Sequence, residues 1–238
     1  MSINADVLKK AVVHSRTGTW CQDRSKKFEM LYLDLLDTVK PVATMLVRMP
    51  PSTMLAGKKL LGGKEVFVLE GTFQDERGSY PVNSYMRFPP GCRQEAYSDS
   101  GCLLFVKTWQ FDKKDQNQVN IDTSVCKSYR PKGRHGVHLQ HIYSDAREDV
   151  RIERWDPNHR LKINQCNGLE IMVLDGEFFE PSTAYRQHSW LRIPPEQPLS
   201  IIVGDKPAKV LIKESHLVRA VPGRVASNVS GAELVKRP

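Results

Sequence analysis

The chain has 238 residues with a formal net charge of +8 and a pI near 9.3. Its basic residues are spread along the sequence, and no motif for groove or single-strand recognition accompanies them, so nucleic acid is not an expected partner. No apolar run is long enough to cross a bilayer, no secretory leader is visible, and the five cysteines (21, 92, 102, 126 and 166) form no C-x-x-C pair. These features argue against a membrane span and a disulfide scaffold, and place the chain in a reducing cytoplasm.

In chain order, NADVLKKAVV (4–13) reads as a short helix or an edge strand. Short runs rich in Val, Leu, Ile, Phe and Tyr follow: FEMLYLDLL, TMLVRM, EVFVLEG, SYMRF and CLLFVK, separated by turn material such as PPST, LLGGK and DERGSYP. The run DKKDQNQVN (112–120) is polar and marks a join. Beyond it, His135, His138 and His141 sit on an entering strand, and EIMVLDG, SWLRI, LSIIVG and KVLIKE are again strand-like. Many short strands at regular spacing predict an all-β sandwich or barrel. The tail from Val218 is small and polar and is expected to be poorly ordered.

The two halves are copies. GKEVFVLEGTF (63–73) returns as GLEIMVLDGEF (168–178), and SYMRFPP (84–90) as SWLRIPP (189–195), both at an offset of 105 residues. With one residue of slippage, Arg48 and Pro51 match Arg154 and Pro157, and LFVK (104–107) matches VLIK (210–213). Four ordered blocks at one spacing signify a tandem duplication. Each copy is large enough to bury its own core, giving two expected domains, residues 1–112 and 113–238. Because VFVL and IMVL are apolar on both sides of the pleat, the two domains are expected to pack through one sheet face each.

GGKEVFVLEGTFQDERGSYPVNSYMRFPPG (62–91), GCLLFVKTWQF (101–111) and VNIDT (119–123) resemble the ChrR-type cupins. The resemblance implies tandem double-stranded β-helix (jelly-roll) barrels, here in a two-cupin arrangement, and association as a homodimer. The family's anti-sigma activity belongs to a separate zinc-binding helical segment that this chain does not show, so a sigma-factor partner is not implied. The resemblance also implies a barrel that holds a divalent metal through three histidines and a glutamate. Here the matching positions hold Lys58, Leu60, Lys64 and Gln94 in the first copy, and Ile163 (Asn164 with the slippage), Gln165, Leu169 and Leu199 in the second. An ammonium or a Leu offers no lone pair to a metal.

The expected function is therefore a metal-independent bicupin, without a cofactor, that binds a small molecule, with an anion among the candidates. Its expected site is Lys58, Leu60, Lys64 and Gln94, with Tyr85 and Arg87 on the neighbouring strand. If the lysines point inward they need an anionic partner, a ligand or Glu65; otherwise they reach the barrel mouth and stay in water. Two alternatives stand beside this reading. One is a dioxygenase-like enzyme with a non-standard metal site at His159, Gln165, Glu170 and His188. The other is a structural dimerisation module.

Overall fold

The computed structural model describes residues 2–36, 39–164 and 167–217. Every extended element in it is a β-strand, and no α-helix occurs among the described residues. The tail expected to be poorly ordered lies outside these residues.

Each copy forms a double-stranded β-helix. In the first, the strands Ser84–Phe88, Lys64–Asp75, Cys102–Thr108, Ala43–Met49 and Glu29–Leu35 lie side by side in that order. In the second, the matching order is Ser189–Ile193, Leu169–Asp175, Ala208–Glu214, Asp149–Trp155 and Val137–Ser144. Smaller sheets close the barrels: Lys58–Lys59 with Arg93–Gln94 in the first, and the four strands from Arg160–Ile163 to Thr183–Arg186 in the second.

Gly71 and Gly176 occupy equivalent places. Both have positive φ, 69° and 72°. A Cβ on Gly71 would lie 2.1 Å from the Gly101 carbonyl oxygen, and one on Gly176 would lie 2.2 Å from that of Pro207. Only a residue without a side chain fits that close crossing of two backbones.

The two leading strands cross over. Ala11–His14 pairs with Ser189–Ile193 in the second copy's sheet, and Val119–Asp122 pairs with Ser84–Phe88 in the first copy's sheet. NADVLKKAVV thus ends in an edge strand, and each copy caps its neighbour's sheet.

Period-two alternation divides every large strand between two cores. Val66, Val68, Met86, Phe88, Leu104 and Val106 fill the first barrel, and Ile171, Val173, Leu191, Ile193, Val210 and Ile212 fill the second. The residues between them face the other way. Phe67, Leu69, Tyr85, Leu103 and Phe105 of one sheet meet Ile152, Met172, Leu174, Trp190 and Leu211 of the other in a third core. The expected packing through one sheet face each is what the structure contains.

Candidate functional site

The third core carries a set of buried charges. In the first sheet, Arg87, Glu65 and Lys107 stand side by side on three adjacent strands. In the second, Arg192, Glu170 and Lys213 repeat that row. The rows bond across the seam, Lys107 to Glu170 and Lys213 to Glu65. Lys107 is completed by Thr44 Oγ1 at 2.8 Å. Val150 takes that place in the second sheet, and there Glu148 completes Lys213 at 2.8 Å. Arg87 binds Glu148 and Asp115, while Arg192 reaches Asp34 at 3.2 Å and the carbonyls of Asn4 and Asp6.

Burial tends to neutralise such groups, and the cross-seam cations counter it. Burial pushes the Glu148 carboxyl up, but Lys213 and Arg87 outweigh it and bring the pKa down to about 2. Burial acts on Glu170 in the same way, and Lys107 and His216 hold it well below the usual carboxylate range. Asp34 differs. Burial and the nearby Glu170 charge raise it to about 6 despite Lys107 and Arg192.

These contacts correct part of the expected site. Tyr85 and Arg87 do not line the first barrel. They are on the odd positions of Ser84–Phe88, which face the seam, where the Tyr85 hydroxyl donates to Glu65 Oε1 at 3.1 Å. Glu65 likewise serves Lys213 rather than Lys58 or Lys64.

The remaining positions are at the first barrel. Lys64 shares the inward face of its strand with Val66 and Val68 and is half-buried, its Nζ 5.9 Å from the centre of the Phe73 ring. Burial lowers its pKa to about 8, partly offset by Asp75. Gln94 is 4% exposed, and its Nε2 donates to Asp75 Oδ2 at 3.2 Å. Its Oε1 is buried without a partner. Asp75 also accepts from the Tyr80 hydroxyl at 3.0 Å and from Arg77. Lys58 sits opposite Gln94 on the next strand and is exposed. Leu60 is half-buried against the barrel core.

Among the described residues, the second barrel shows no such polar end. Ile163, Leu169 and Leu199, at the matching positions, all belong to its apolar core. Trp155, Phe178 and Tyr185 pack beside them, with ring centres 5.2 and 4.7 Å apart along the series.

The alternative metal set is not assembled. Glu170 is held at the seam, the His188 Nδ1 lies 3.7 Å from Glu70, and the His159 ring covers Gly136. Gln165 lies outside the described residues. Among the described residues no group of three or more His, Cys, Asp or Glu side chains is placed to hold a metal ion. The divalent metal of ChrR-type cupins also does not fit the first barrel, whose four positions offer two ammonium groups, an alkyl chain and one amide.

Sequence reasoning passed over the partners that complete the seam: Asp34, Lys107, Glu148, Arg192, Lys213 and His216. A signal for three of them was present. Lys107, Arg192 and Lys213 are charged residues kept in both copies at alternate positions of otherwise apolar strands, which calls for a buried partner.

The paired barrels define a protein of the cupin fold. Residues 8–112 match the family model of the ChrR cupin-like domain. No curated protein matches the sequence. Among solved structures, a provisionally assigned dioxygenase from Nostoc punctiforme PCC 73102 has 12% identity and a TM-score of 0.70, covering 95% of this chain and 86% of that one. The E. coli protein Ylba gives 12% and 0.67 over 90% and 94%. An oxalate decarboxylase from Lactobacillus farciminis in complex with formate gives 10% and 0.62 over 87% and 86%. At these identities the likeness establishes the fold alone. Among the described residues, no helix is long and apolar enough to cross a membrane.

Proposed function

We propose that the chain is a bicupin that binds a small hydroxylated anion at the mouth of its first barrel and uses no transition metal there. The carrying observation is the buried Gln94 Oε1, which has no donor, at the same barrel end as Lys64. A buried acceptor without a partner costs about 1–3 kcal/mol, and a ligand hydroxyl would satisfy it. Among the described residues Lys64 forms no ion pair of its own, and Asp75 is bonded to Arg77, Tyr80 and Gln94. An anion near Lys64 would also meet Lys58 at the rim. The relation to a dioxygenase and to an oxalate decarboxylase supports a metal-dependent enzyme only through fold, and the donor chemistry of the four positions opposes it.

The test is calorimetric titration of the full chain with lactate, malate and inorganic phosphate, alongside Lys64→Met and Gln94→Leu. Saturable binding of a hydroxy acid, lost in both variants, supports the reading. Stoichiometric zinc, iron, manganese or nickel found by plasma emission and released by Lys64→Met or Gln94→Leu would overturn it.

A further inference from the structure

A cavity opens at the edge of the seam, away from the first barrel's mouth. It has a volume of about 270 Å³, and its wall includes Asp34, Glu148, Glu170, His216 and Trp109. Among the described residues no lysine or arginine lines it. Lys107, Lys213, Arg87 and Arg192 approach these carboxylates from the core side, as the ion pairs show.

The groups on this wall have one shared deficiency. His216 Nε2 lies 2.9 Å from Glu170 Oε1, a contact that places the ring proton on Nε2. Nδ1 is then a bare acceptor, and it is buried with no partner among the described residues. Burial holds the imidazole neutral, lowering its pKa against the pull of Glu170, with Lys107 and Lys213 acting in the same direction as burial. Asp34 accepts from the Thr44 N–H at 2.7 Å and from Arg192 at 3.2 Å, yet burial and Glu170 still raise its pKa, so added positive charge nearby would favour its ionised form. An acceptor without a donor, a carboxyl that added positive charge would keep ionised and an indole at one cavity all call for the same chemistry: a compact cation bearing N–H groups.

We propose that this seam cavity binds a small organic amine as its ammonium form, which donates to Asp34 and His216 Nδ1 and lies against Trp109. The site is separate from the anion site and does not depend on it. Because it is built from both copies, an occupant would tie the two sheets together and stabilise the chain by mass action. Ligand uptake is linked to Asp34: affinity rises as pH climbs through about 6, where Asp34 ionises.

The experiment titrates the full chain with n-butylamine, and with n-butanol and butyrate as neutral and anionic counterparts, following backbone amide shifts by NMR. The expected result is saturable binding of the amine alone at neutral pH, weakened about tenfold or more by Asp34→Asn and by His216→Phe. Lowering the pH to about 5 should weaken binding to the unsubstituted chain but not to Asp34→Asn. If Asp34→Asn does not fold by circular dichroism, His216→Phe and Trp109→Leu carry the comparison. Equal responses to the three probes, no saturable response to the amine, or amine binding untouched by the substitutions would overturn the proposal. Gln94→Leu separates the two sites, since it should remove hydroxy-acid binding and leave amine binding intact.

Discussion

The two barrels arose from one unit and now differ most in their interiors. At the first barrel's mouth Lys64, Asp75 and Gln94 keep a polar cluster, with one amide oxygen left without a partner. In the second, Leu169 and Leu199 replace Lys64 and Gln94, and Trp155 packs edge-on to Phe178, leaving a continuous apolar core. The seam faces changed far less: Glu65, Arg87 and Lys107 in one sheet answer Glu170, Arg192 and Lys213 in the other. An isolated barrel would expose or strand those charges. Once two copies face each other, each lysine finds the opposite sheet's glutamate, and neither row can change alone without leaving a buried charge unpaired. A barrel interior answers only to its own residues, so one copy could close while the other kept polar groups.

The strongest way to break this comparison is at the seam. Lys107→Met should cost about 3–5 kcal/mol in urea unfolding, because it leaves Glu170 buried beside an alkyl chain. Lys213→Met should cost a similar amount, and combining Lys107→Met with Glu170→Leu should recover most of the loss. A cost below about 1 kcal/mol for either single change would mean that the sheets do not meet as described.

Exchanging interior residues sharpens the contrast. Leu199→Gln should destabilise by about 2–3 kcal/mol, since it buries an amide in the apolar second barrel. The reverse change, Gln94→Leu, should fall within about 1 kcal/mol of zero, because it removes an orphaned oxygen along with the hydrogen bond to Asp75. Equal costs for both would remove the distinction between the barrels.

The acids at the seam predict opposite pH effects. Asp34, raised from 3.8 to about 6, binds more protons folded than unfolded, so its contribution to stability is lost as pH rises from 4 to 6. Asp34→Asn should flatten that fall, which is on the order of 2 kcal/mol. Glu148, lowered to about 2, and Glu170 act the other way, and their contribution is lost as pH falls below the ordinary carboxylate range. Unfolding midpoints measured between pH 3 and 7 separate the two directions.

The smallest effect concerns Lys64. With its pKa lowered to about 8, hydroxy-acid affinity should weaken above that pH by up to about tenfold per unit. Titrations on either side of it measure the slope, and no slope would remove Lys64 from the site.

The sequence by itself determined the duplication, the strand content and the equivalence of Gly71 with Gly176, because these depend on local pattern: period-two alternation and a backbone turn that admits no side chain. It also supplied the donor chemistry of Lys58, Leu60, Lys64 and Gln94, since donor chemistry belongs to the side chain wherever it points. It assigned Tyr85 and Arg87 to the barrel because residue type alone does not reveal which face of a strand buried on both sides looks inward. That face, the crossing of the leading strands, and the meeting of Lys107 with Glu170 and of Lys213 with Glu65 were decided only when the two sheets docked. Each partner of those pairs lies on the other copy, so no local pattern in either half specifies it.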